Sequence, residues 1–130
     1  GLFNDGSLFR KVLQTALTAT QREAYGIVTA DRRRYRYAAK VRLLIAGFER
    51  SVPMTEKQRG ELVDLVLEAL DPPEAPSQYD YTFAMYAASQ VPQDRLTEVF
   101  DEAQLRALRP RLNKGRVYEQ ILQRYGALAP

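Results

Sequence analysis

The chain has 130 residues, 45% of them hydrophobic and 27% charged, with a net charge of +3. That length suits one domain whose core needs no disulfide staple, and the sequence has no run of about 18 apolar residues that could cross a bilayer. Cysteine and histidine are both absent, which excludes thiol nucleophiles, zinc-thiolate sites and the commonest general base and metal ligand.

The chain starts at Gly1 rather than Met, with no charged and then apolar leader. It therefore reads as a fragment or processed form of a longer chain, with one helical domain over 1–130. Gly and Pro punctuate it into segments of helical period, and no stretch alternates apolar and polar residues long enough to argue a strand. The expectation is an all-α, bundle-like fold.

In chain order, Ser7 caps a short helix carrying Leu8, Phe9, Val12 and Leu13, which ends near Ala16. A spine helix starts at Thr18 and runs over 18–50. Ile27, Ala30, Tyr37, Val41, Leu44 and Phe48 fall on one side of it, and Ala38 and Ile45 widen the stripe. Gly26 and Gly47 inside it cost about 1 kcal/mol each relative to Ala. Pro53 stops this helix, and Thr55 opens a third one to Leu70 whose apolar side is Leu62, Val63, Leu65, Val66, Leu67 and Leu70. "DPPEAP" over 71–76 forbids regular structure. A fourth helix follows over 78–90, and a short one starts near Pro92, whose fixed φ suits a first helical position. The last helical region starts after Asp101, kinks or breaks at Pro110, loosens at "NKG" and ends near Gly126.

One pattern occurs three times: "LTATQ" from Leu17, "MTEKQ" from Met54 and "FDEAQ" from Phe100. Each has Thr or Asp where a helix starts and Gln three residues later, the spacing of a capping box. Thr18, Thr55 or Asp101 would accept from the N3 amide while Gln21, Gln58 or Gln104 reaches back to the cap. Leu17, Met54 and Phe100 would staple the chain entry.

The same residues resemble the "LTxxQ" motif carried twice by the Spy/CpxP family of bacterial periplasmic stress proteins. Leu17, Thr18 and Gln21 match it fully, Met54, Thr55 and Gln58 match with Met for Leu, and Phe100, Asp101 and Gln104 depart at two positions. The resemblance implies a hooked helical protein, exported to the periplasm, forming an antiparallel homodimer. Its concave basic and apolar surface would hold unfolded or partner polypeptides. Separately, with His and Cys absent and no pair of carboxylates, Tyr, Lys, Ser or Thr at a converging spacing, neither catalysis nor a cofactor is expected.

Charge is segregated along the chain: over 31–50 seven basic residues face two acidic ones, and over 61–102 ten acidic residues face Arg95 alone. On the spine helix Arg33, Arg36 and Lys40 are placed on one face, flanked by Arg32 and Leu43. This is a candidate partner-binding face or simply a solvated one. "DRRRYRYAAK" also invites a nucleic-acid reading, but Arg34 and Tyr37 are expected to turn to the apolar side and to split the cluster. Tyr79, Tyr81, Phe83 and Tyr86 read as core or interface packing, with a peptide- or ligand-binding groove as the other reading. Asp80, Asp94, Asp101 and Glu102 read as helix-start acids rather than a metal site.

Function is therefore expected to be non-enzymatic binding of a polypeptide, with a structural or regulatory domain of a larger bacterial protein as the alternative and nucleic-acid binding behind both.

Overall fold

The computed structural model describes residues 19–73 and 78–128. They divide into two units, one ending at Arg32 and one starting at Arg33. The elements are α1 (Ala19–Glu49), α2 (Glu56–Ala69), α3 (Asp80–Ser89), α4 (Gln93–Val99), α5 (Glu102–Asn113), a 3-10 helix (Lys114–Tyr118) and α6 (Glu119–Arg124). No strand occurs among the described residues. The all-α expectation holds, and a long helix packs against shorter ones. The short helix expected to begin at Ser7, like Leu17 and Thr18, lies outside the described residues.

Within the first unit, α1 exposes every described side chain from Thr20 to Arg32. Ile27 and Ala30, expected in the apolar stripe, are among the exposed residues. Burial starts at Arg33, and in the second unit Tyr37, Ala38, Val41, Leu44 and Ile45 of α1 enter the core. Phe48 is half-buried against that core. α1 ends where Ser51 and Val52 both donate to the Phe48 carbonyl, at 3.0 and 2.9 Å.

α3 is the central element. It buries Phe83, Ala84, Tyr86, Ala87, Ala88 and Ser89, and a helix apolar on most sides must be enclosed by its neighbours. α2, α5 and the 3-10 helix all pack on it. Its alanines allow close approach, and Gly115 lies directly against its backbone. A Cβ built on Gly115 would lie 1.8 Å from the Met85 carbonyl oxygen. "NKG", expected to loosen the chain, passes from the end of α5 directly into the 3-10 helix, and Gly115 within it is buried.

Tyr37 packs edge-on to Phe83, with centroids 5.6 Å apart and an interplanar angle of 67°. Its hydroxyl has no hydrogen-bond partner among the described residues. Burial pushes the phenol well above its ordinary range, the Asp80 charge adds to the rise and Arg33 opposes it.

Pro92 sits at the N-cap of α4 rather than inside it. Helix α5 continues through Pro110 instead of breaking. Pro110 has no N–H to give the Arg106 carbonyl, and the Arg111 guanidinium donates to the next carbonyl, that of Ala107, at 2.8 Å. The chain turns after α6 at Gly126, whose φ of 74° lies in the left-handed region that glycine adopts without steric cost.

Candidate functional site

Two copies of the repeated motif meet. Thr55 accepts from the Gln58 amide at 3.1 Å and Gln58 Oε1 accepts from the Thr55 amide at 3.0 Å, which completes a capping box at α2. Asp101 and Gln104 build the same box at α5, at 2.8 and 3.0 Å. The two glutamines then bond each other. Gln58 Nε2 donates to Gln104 Oε1 at 3.0 Å and to the Val99 carbonyl at 3.0 Å. Gln104 Nε2 donates to Gln58 Oε1 at 2.9 Å and to the Pro53 carbonyl at 2.9 Å.

Pro53 and Val99 each lie two residues before their cap, so the two halves correspond position for position. Each amide uses both N–H donors and accepts twice, which fills its hydrogen-bonding capacity. The staple residues lie beneath, with Phe100 buried and Met54 half-buried against the core. Of the first copy, Gln21 is exposed on α1 and the other motif residues fall outside the described chain.

The clasp explains why the third position is Gln. A capping box tolerates Glu there, but a carboxylate has no donor for Val99 or Gln104. Gln58→Glu is therefore expected to cost about 1–3 kcal/mol through unsatisfied and repelling acceptors. That exceeds the roughly 1 kcal/mol loss expected for Thr55→Ala. Urea midpoints check the order, and a Gln58→Glu variant as stable as the parent would mean that the amide pair contributes nothing.

The basic face expected on α1 is only partly present. Arg33 is buried rather than solvated: its Nη1 and Nη2 donate to both carboxylate oxygens of Asp80 at 2.7 and 2.8 Å, and its Nε donates to the Pro73 carbonyl at 2.8 Å. The reason is helical geometry. Arg33 lies one turn before Tyr37 and three turns before Leu44, at the edge of the buried stripe. Arg36, Lys40 and Leu43 do share an exposed face of the second unit, and Arg32, in the first unit, is exposed as well. Arg34 is exposed instead of turning inward. Among the described residues no carboxylate pairs with Arg34, Arg36, Lys40 or Arg42.

Asp80, Asp94 and Glu102 occupy first turns of α3, α4 and α5, and Asp101 is an N-cap. Among the described residues no group of three or more Asp or Glu is placed to hold a metal ion. Glu61, Asp64, Glu68 and Glu98 line a trough of about 350 Å³ between α2 and α4. Arg95 lies 3.9 Å from Glu68 across it and 3.7 Å from Glu98 on its own helix. Of the aromatic cluster, Phe83 and Tyr86 are core, Tyr79 stacks on Tyr125 at 4.6 Å, and Tyr81 stays exposed.

A groove of about 250 Å³ runs beside Tyr81. Leu44, Phe48 and Met85 complete its apolar wall, Gly47 and Gly115 line it, and Arg111 and Lys114 supply its charge. It brings together residues 44–48, 81–85 and 111–115, which are local neighbours only once α3 is seated between α1 and the 3-10 helix. Sequence reasoning read Tyr79, Tyr81, Phe83 and Tyr86 as packing first, with a groove as the alternative; of the four, Tyr81 lines this groove.

Among the described residues no helix is long and apolar enough to cross a membrane. The chain matches no protein-family model, no curated protein and no solved structure.

Proposed function

We propose that the chain is a non-enzymatic helical module that holds partner or unfolded polypeptides, in the manner that its "LTxxQ"-like motifs suggest for an exported, Spy/CpxP-like bacterial protein. The observation that carries this reading is the exposed surface of α1 in the second unit. Tyr35 and Leu43 are 73 and 60% exposed there, on the same helical segment as Arg34, Arg36, Lys40 and Arg42, which have no carboxylate partner among the described residues. Apolar side chains held in water beside positive charge suit a polypeptide that supplies both apolar contact and carboxylates.

The test is suppression of aggregation of a denatured model protein. Because Arg33 is a core residue, the variant is Arg36→Glu with Lys40→Glu and Leu43→Ser, which leaves the buried ion pair intact. About tenfold more of the variant than of the parent should be needed for equal suppression, with circular dichroism unchanged. Equal potency of the two proteins, or no suppression by either, would end the reading.

A second reading has its own support. Arg34, Tyr35, Arg36, Lys40 and Arg42 are exposed together in the second unit, and Arg with Tyr can pair phosphate contact with base stacking. Titrating single-stranded DNA at rising salt separates the two: steeply salt-dependent binding that the same variant abolishes, with aggregation unaffected, would favour nucleic acid.

A further inference from the structure

We propose that the groove between α1, α3 and the 3-10 helix is a preformed socket for one large apolar side chain of an acidic polypeptide segment. The inference rests on the reading above of the chain as a polypeptide-binding module, and it places the anchoring contact away from the Arg36, Lys40 and Leu43 face.

Size limits the occupant. At about 250 Å³ the groove falls just below the ~300–1,000 Å³ of pockets that enclose drug-sized ligands, and it suits a single anchor residue. Leu44, Phe48, Tyr81 and Met85 make an apolar wall, in which methionine adapts to irregular shapes. Charge sets the flanks. Among the described residues Arg111 and Lys114 are the only charged ones lining the groove, and neither has a carboxylate partner there. The Arg111 guanidinium is held in place by the Ala107 carbonyl at 2.8 Å. An apolar side chain between Asp or Glu residues matches both features.

Two glycines define the cavity. Gly115 brings the 3-10 backbone against α3 and makes that wall rigid, so little order has to be gained on binding. Gly47 lies inside α1, where glycine costs about 1 kcal/mol relative to alanine, yet a Cβ there would meet nothing within 4 Å. Packing does not require this glycine. Its missing side chain leaves the groove open.

The probe is a fluorescein-labelled peptide with a single Phe between Asp and Glu residues, titrated with the full chain and read by anisotropy. Gly47→Leu, which fills the groove from the helix, and Lys114→Glu, which reverses its rim charge, are each expected to weaken binding about tenfold. Replacing the peptide's Phe by Ser, or its acidic flanks by Lys, should do the same. Gly47→Leu should keep the parent's circular dichroism and a urea midpoint no lower than the parent's, since its Cβ enters open space and leucine favours the helix.

Undiminished binding to Gly47→Leu, equal binding of the Lys-flanked peptide, or no binding to the parent would overturn the proposal. The variant carrying Arg36→Glu, Lys40→Glu and Leu43→Ser should still bind the peptide. If that variant alone loses the peptide, the socket is wrong and the polypeptide-holding reading stands. If the socket binds peptide but the parent suppresses no aggregation, the holding reading fails by itself.

Discussion

Gly115→Ala is expected to destabilise the protein more than alanine at any other described glycine. The added Cβ would lie 1.8 Å from the Met85 oxygen, 2.5 Å from the Met85 carbonyl carbon and 3.0 Å from the Tyr86 nitrogen. All three are backbone atoms of α3, so no side chain can rotate away, and the 3-10 helix must lift off the central helix to relieve the contact. The cost should reach or exceed the upper end of the ~1–3 kcal/mol typical of overpacking, a large share of a net stability of about 5–15 kcal/mol. Gly47→Ala supplies the contrast. Its Cβ has open space, and the better helix propensity should stabilise by up to about 1 kcal/mol. Urea denaturation of the two variants should move the midpoint in opposite directions, and a Gly115→Ala midpoint at or above the parent's would show that the close approach is not part of the folded state.

Removing one partner of the Arg33–Asp80 pair is expected to cost about 3–5 kcal/mol, because the remaining charge stays buried without compensation. Both side chains are 8% exposed. Asp80→Ala strands a guanidinium whose one remaining acceptor among the described residues is the Pro73 carbonyl, and Arg33→Ala strands a carboxylate in the first turn of α3. Arg33→Lys should recover little, since an ammonium cannot span both carboxylate oxygens and the Pro73 carbonyl together. Replacing both, as Arg33→Met with Asp80→Leu, removes the stranded charge and should restore most of the loss. Thermal or urea unfolding of the four variants checks the sequence of effects. Single variants within about 0.5 kcal/mol of the parent would place the pair among solvated ion pairs instead.

The helices were legible because their boundaries are written locally. Thr55 and Asp101 each stand three residues before a Gln, and both boxes form at the expected helix starts. Pro53, "DPP" and Pro92 fall between elements as fixed-φ residues should. What was not legible depends on pairs distant in sequence. Gly115 in "NKG" looks like any turn glycine, and only the seating of α3 shows that its missing Cβ is required. Gln58 and Gln104 were readable as caps, but their mutual bonding joins residues 46 apart. Arg33 was misread for another reason. Its charge suggested solvent, whereas its register with Tyr37 and Leu44 already placed it at the edge of the buried stripe. Ile27 and Ala30 failed in the opposite direction: they share the helical period of the core residues, but burial in α1 begins only at Arg33.

The glutamine clasp also changes how the starts of α2 and α5 behave in time. A helix N-terminus ordinarily frays alone, because its cap serves only its own first turn and can reform from either side. Here the Gln58 carboxamide closes its own cap, the Val99 carbonyl and the Gln104 amide together. Opening one helix start therefore strips the other of a donor and an acceptor. The two first turns form one cooperative opening unit rather than two independent ones, and local unfolding at this end must release both helices at once.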